Sequence, residues 1–213
     1  LVPQLENWEI VLISKPTSDL AEEDFVRCLP KKADAIIHLA QSNHFKEFPQ
    51  KALDIFNVNT RATLKLLDYA RQAEVKTFIY ASSGAVYGSG PKPFVETDPL
   101  LVNPQLGIYY ASKLSAELLV ESYASYFTTV ILRFFFIYGP GQREQMLIPR
   151  LVQSVMKGVP IKLQGNEGLR IDPIFVTDAA QAVKAALDLT ESSKINVGGM
   201  ENLSLREIGQ TIA

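Results

Sequence analysis

Ala33-Asp34-Ala35-Ile36-Ile37-His38-Leu39-Ala40 is the stretch that decides the fold. It is a nearly unbroken apolar run of strand length, as expected for a strand buried on both faces. The chain alternates on either side of it. Upstream, Leu1 to Leu5 reads as a helix and Trp8 to Lys15 as a strand rich in β-branched residues. Asp19 then caps a helix running to Leu29, stopped by Pro30. Downstream, Thr60 to Ala73 places Leu64, Leu67 and Ala70 at helical spacing. Thr77 to Ala81 reads as a strand leading into Ser82-Ser83-Gly84, and Tyr109 to Tyr123 as a helix. Thr129 to Tyr138 reads as a strand ended by Gly139-Pro140-Gly141. Strands and helices alternating over short connections imply parallel βαβ units. Ligands of such sheets bind beyond the carboxyl ends of the strands.

After Gly141 the pattern changes. Leu147 to Met156 is an amphipathic helix, Ile161 to Leu163 and Pro173 to Val176 are short strands, and Thr177 to Leu189 is an Ala-rich helix. Ile195 to Val197 is a strand before Gly198-Gly199. Ser204-Leu205-Arg206-Glu207 is a capping box that opens a last helix, to Ala213. These readings predict a sheet domain over 1–141 plus helix 177–189, and a smaller lobe over 142–176 and 190–213. The helices at the two ends lack closing signals, so the chain reads as cut at both.

Composition narrows the function classes. The 213 residues are 47% hydrophobic and 21% charged, an ordinary globular balance. A formal net charge of −2 provides no basic field for a nucleic-acid backbone. The richest apolar stretch, Val130 to Tyr138, carries Arg133 and is too short to span a bilayer. Cys28 is the single cysteine; it fits a reducing cytoplasm and reads as a small packing residue. The opening Leu1-Val2-Pro3-Gln4-Leu5-Glu6 has no signal-peptide pattern. No metal site is predicted.

Tyr109 and Lys113 stand at i and i+4 on one helix face. An ammonium close to a phenol favours phenolate and pulls its pKa towards neutrality, which makes Tyr109 a candidate general acid or base. The bland alternative is an exposed helix pair. Ser83 projects from the carboxyl end of a buried strand, where a hydroxyl can bond a substrate oxygen. The bland alternative there is a Ser-Gly turn.

Several segments recur in a known order. They are Ala35 to Ala40, Asn59 with Ala62-Thr63 and Leu66-Leu67, Ala81 to Gly88, and Tyr109 to Lys113. Leu132-Arg133 with Tyr138-Gly139-Pro140, Pro173 to Asp178, and Asn196 to Gly199 complete the set. With these the chain resembles an extended short-chain dehydrogenase/reductase of the NAD-dependent epimerase/dehydratase type, similar to nucleotide-sugar 4-epimerases. The resemblance implies a Rossmann-type doubly wound parallel sheet that binds NAD(P), with a small C-terminal substrate lobe. It implies Tyr109 as acid/base, Lys113 on the nicotinamide ribose, and Ser83 orienting the reacting oxygen. The cofactor would be lined by Ser14, Lys15, His38, Leu39, Ala40, Asn59, Ala81, Ser82, Tyr109, Lys113, Phe134 and Phe135. Ser83, Gly84, Phe136 and Arg170 would face the substrate. The helices near 60–73 and 109–127 resemble those that pair in homodimers of the family.

The chain also departs from that pattern. The first strand and the glycine-rich phosphate loop, which lets a backbone approach a pyrophosphate at a helix N-terminus, are absent. Only Pro16-Thr17-Ser18 separate Lys15 from Asp19, where a further strand is expected. Ser14-Lys15 stand where NAD binders place an acid, which suits a 2′-phosphate and leans the expectation to NADP. Ser83 is followed by Gly84-Ala85 and not Asp-Glu, which disfavours a dehydratase. Phe136 replaces an asparagine that contacts the nucleotide diphosphate, while Arg170 resembles the diphosphate-binding arginine at a spacing to Val176 one residue longer than usual, the bland alternative being a surface arginine. The expected function is an epimerase of a nucleotide sugar acting by transient oxidation at C4. The alternatives are a reductase or dehydrogenase of a keto sugar or other ketone, and a non-catalytic dinucleotide-binding protein.

Overall fold

A computed structural model describes residues 1–15, 18–88, 90, 92–100 and 107–213. The apolar run forms β1 (Ala35–His38), which leads through a loop to α1 (Ala52–Phe56). A π-helical turn, Asn57–Arg61, joins α1 to α2 (Ala62–Gln72), so the expected helix is longer and carries one irregular turn. β2 (Thr77–Ser83), α3 (Gly107–Ser122) and β3 (Thr128–Phe134) follow. Beyond Phe135 come β4 (Phe136–Tyr138), α4 (Leu147–Met156), β5 (Arg170–Ile171) and β6 (Pro173–Phe175). The rest comprises α5 (Val176–Ala186), β7 (Ser193–Val197), β8 (Leu203–Ser204) and α6 (Leu205–Ile212).

The main sheet has the order β1-β2-β3-β7. β1 and β2 run parallel, with Ile37 opposite Ile79 and His38 opposite Tyr80. Ala62, Leu66, Leu67 and Ala70 of α2 and Ala116 and Val120 of α3 bury their apolar faces with Phe78, Tyr80 and Ile131 of the sheet. At about 25 cal/mol per Å² this burial is the main favourable contribution to the sheet domain.

By compactness the chain forms two units. One comprises Leu1–Arg133 and Gln181–Asn196, the other Phe134–Ala180 and Val197–Ala213. In the second, β4 pairs parallel with β6, and β5 antiparallel with β8. Its small core is Leu151, Ile171 and Ile208. Gly199 is required there, because a Cβ would lie 2.1 Å from the Pro173 carbonyl oxygen.

Several elements differ from expectation. Trp8 to Lys15 forms no strand, and Val11 and Leu12 are 55% and 68% exposed. A strand needs a hydrogen-bonding neighbour, and none of the described residues supplies one here. Ile161 to Leu163 is likewise not assigned to a strand. The helix at Leu1 to Leu5 is only a 3₁₀ turn, Val2–Gln4. The helix from Asp19 shrinks to a 3₁₀ turn at Phe25–Cys28, although the Asp19 carboxylate does accept the Ala21 N–H at 3.0 Å. Cys28 is exposed at the end of that turn and is not a packing residue. Thr129 to Tyr138 is broken at Phe135, whose N–H bonds the Val197 carbonyl at 3.1 Å. The expected gap between Lys15 and Asp19 includes Pro16 and Thr17, which lie outside the described residues.

Candidate active site

The site grows from one helix face and one strand end. Tyr109, Lys113 and Glu117 follow at four-residue intervals along α3, so their side chains stack on one stripe. That stripe meets Ala81, Ser82 and Ser83 at the carboxyl end of β2. Lys113 Nζ donates to the Ala81 carbonyl at 2.7 Å and lies 5.1 Å from the centre of the Tyr80 ring. Ser82 Oγ donates to the Glu117 carboxylate. The Ser83 hydroxyl faces the Tyr109 phenol and also accepts the Ala85 N–H at 3.2 Å, which caps the 3₁₀ turn Gly84–Tyr87. The structure thus brings Ser83, Tyr109 and Lys113 together.

Lys113 is only 3% exposed, and burial brings its ammonium down to about 8, with the Glu117 carboxylate pulling it back up. Burial pushes the Tyr109 phenol above its ordinary value, and the Ser83 hydroxyl draws it part of the way down. This corrects the expectation that Lys113 pulls the phenol towards neutrality: the ammonium is directed at the Ala81 carbonyl, and burial raises the phenol. Tyr109 Oη also reaches Gln41 Oε1 at 3.4 Å, and its ring packs 5.4 Å from that of Phe45. Sequence reasoning missed Phe45, which sits with Gln41 on the loop after β1.

His38 closes β1 with its ring buried. Thr63 Oγ1 donates to the Asn59 carbonyl at 2.7 Å, so His38 Nε2, 3.0 Å away, must be the donor to Thr63. Burial brings its pKa down to about 3, so the ring is neutral. Leu39 and Ala40 are exposed just past that strand end. Asn59 lies in the π turn, accepts the Ser42 N–H at 2.7 Å and donates to Ser112 Oγ at 2.9 Å. It therefore braces the loop after β1 against α3. Ser14 and Lys15 do not end a strand, and Lys15 Nζ pairs with Asp19 at 2.7 Å. A neighbouring carboxylate thus occupies the charge expected to face a 2′-phosphate.

The second unit holds Phe134, Phe135, Phe136 and Arg170. Phe134 is buried, and Phe136 is 37% exposed on β4. Arg170 Nε donates to Asn202 Oδ1 at 2.7 Å, and its guanidinium lies 3.4 Å from Glu207.

These groups fit the nicotinamide-ribose end of a nicotinamide dinucleotide. The Lys113 ammonium has three donors, and the Ala81 carbonyl takes one, leaving a donor set suited to ribose hydroxyls. Leu39 and Ala40 offer exposed apolar surface at the carboxyl end of β1. The fit covers the nicotinamide-ribose end; the sequence has no glycine-rich turn for a pyrophosphate. Among the described residues no group of three His, Cys, Asp or Glu side chains could hold a metal ion. None of their helices is long and apolar enough to cross a membrane.

A parallel sheet flanked by helices, with its chemistry at the strand ends, places the chain in the Rossmann-like α/β class. Residues 7–198 match the model of the NAD dependent epimerase/dehydratase family, and the chain belongs to that family. It is 29% identical over 204 residues to an uncharacterized UDP-glucose epimerase, YtcB, of Bacillus subtilis, covering 90% of this chain and 60% of that one. MoeE5 in complex with UDP-glucose and NAD superposes with a TM-score of 0.79 at 29% identity, over 92% of this chain and 66% of that one. The UDP-glucose 4-epimerase of Thermus thermophilus in complex with NAD gives 0.78 at 30% identity, over 92% and 66%. The chain therefore spans about 60% of the first relative's length.

Proposed function

We propose that the protein is an epimerase that oxidises a nucleotide sugar transiently at C4 and reduces it again on the other face. The observation that carries this reading is the convergence of Ser83, Tyr109 and Lys113 where β2 ends against α3. When bound, the nicotinamide supplies hydride acceptance and return. Tyr109 Oη takes the hydroxyl proton as the carbonyl forms and gives it back in the return step. Ser83 Oγ hydrogen-bonds the same oxygen in both steps. Lys113 would donate to the ribose hydroxyls, and Ser83 is the group that draws the Tyr109 phenol down. Phe136 and Arg170 belong to the substrate side in this reading. A nucleotide sugar is supported by the UDP-glucose bound in MoeE5.

Tyr109→Phe tests the mechanism. Turnover is expected to fall at least about 100-fold, the usual scale of general acid–base catalysis, with an unchanged circular dichroism spectrum. Retained turnover would remove Tyr109 from the acid/base role. Turnover of the wild type without net change at 340 nm separates the epimerase from a reductase, because the epimerase recycles its hydride.

The cofactor we propose is NAD, not the NADP suggested by Ser14-Lys15, because Lys15 is paired with Asp19. Titrations of the protein with both dinucleotides are expected to give the tighter Kd for NAD. We also propose a homodimer built on α2 and α3. Leu64 and Leu118 are 41% and 58% exposed there, beside a groove of about 540 Å³ lined by Leu64, Tyr69 and Tyr123.

A further inference from the structure

The best-buried charges in the sheet domain lie one helical turn beyond Lys113, and the mechanism above does not use them. Glu117 and Arg133 are each 1% exposed. Arg133 Nη2 donates to Glu117 Oε2 at 2.8 Å and Arg133 Nε to Oε1 at 3.1 Å, a two-pronged contact between α3 and β3. Arg133 Nη1 donates to Tyr87 Oη at 2.6 Å, and the guanidinium also packs 4.9 Å from the Tyr87 ring centre. Tyr87 Oη donates onward to Asn196 Oδ1 at 2.8 Å, on β7. Glu117 accepts Ser82 Oγ as well. The pair therefore ties together α3, the end of β2, β3, β7 and the turn that follows Ser83.

Two buried charges of this kind are a poor device for stability, since an apolar pair of similar volume often serves as well. What they supply is geometry. Ser82 is covalently next to Ser83, and Glu117 is one turn from Lys113 and two from Tyr109 on the same stripe. We propose that Glu117, clamped by Arg133, is a positioning residue that holds the Tyr109–Lys113 face of α3 in register with Ser83. The proposal rests on reading Ser83, Tyr109 and Lys113 as the reacting set. The other titratable groups around the Lys113 ammonium are the Tyr80 phenol beneath it, neutral His38, and Tyr109 one turn back. Glu117 is thus the carboxylate among the groups acting on Lys113.

The test uses Glu117→Gln, Glu117→Asp and the double variant Glu117→Leu/Arg133→Met in the full-length protein. The double variant replaces both charges by apolar side chains and so avoids an orphaned ion. Fold is read by circular dichroism and thermal melting, chemistry by kcat and KM, and Lys113 by the NMR titration of its Cε carbon. Glu117→Gln and the double variant are expected to fold and to lose about 10- to 100-fold in kcat with KM close to wild type, as for a small misplacement of reacting groups. The Lys113 titration and the alkaline limb of the kcat profile should both move to lower pH. Glu117→Asp, which keeps the charge, should recover part of kcat and most of that titration. A folded variant with wild-type kcat and an unmoved Lys113 titration overturns the proposal. So does loss of fold in both Glu117→Gln and the double variant, which would assign the pair to stability alone. If Tyr109→Phe instead retains turnover, the acid/base reading fails, while the Lys113 titration still reports on Glu117.

Discussion

Lys113 binds its proton less tightly than a free lysine, and the direction has a measurable consequence. Its pKa falls from 10.5 to about 8 through burial. Between those values the unfolded chain holds a proton that the native state has released, so stability rises with pH across that window. At about 1.4 kcal/mol per pH unit the rise approaches about 3 kcal/mol. Lys113→Met should lack this rise. Urea denaturation from pH 7 to 10 should show its stability relative to the wild type decline as pH increases, while turnover is lost throughout. A gap independent of pH would mean that the ammonium is not held down by burial. His38 follows the same logic at acid pH, since its neutral ring loses stability as pH falls from 6.5 towards 3.

Elements differ in how far sequence reveals them. Ser204 and Glu207 announce α6 through local chemistry, and both reciprocal bonds form, at 2.7 and 3.1 Å. Ser204→Ala should therefore cost about 1 kcal/mol, read as a lower midpoint in urea. Tyr109 and Lys113 were legible because a spacing of four residues depends only on the helix, and Ser83 because it ends an apolar strand. Glu117 continues that spacing by one turn, but its meaning depends on Arg133, which a different strand delivers. Trp8 to Lys15 was misread because β-branched composition describes a side chain's fit to a sheet, whereas the ladder needs a partner from elsewhere. The helix from Thr60 to Ala73 was legible, but not the π turn it begins in, because nothing in local propensity marks where one residue too many is accommodated.

At the scale of the molecule, the proposed homodimer puts association on the outer faces of α2 and α3. If the proposed dimer uses them, Leu118→Glu should shift sedimentation from dimer to monomer, with the far-ultraviolet spectrum unchanged. A dimer that survives the substitution would place the contact elsewhere. The side chains on that surface include Leu64 and Lys65, which follow the π turn by only a few residues. The wider turn absorbs one surplus residue, so everything after it stands about 100° from where an unbroken α-helix of the same sequence would put it. Deleting one residue from Asn57–Arg61 would give an unbroken α-helix and leave Leu64 and Lys65 on their present bearing, whereas straightening the turn with every residue kept would swing them away from it. In the proposed dimer, the bearing of the contact surface is therefore set by a turn whose Asn59 is buried.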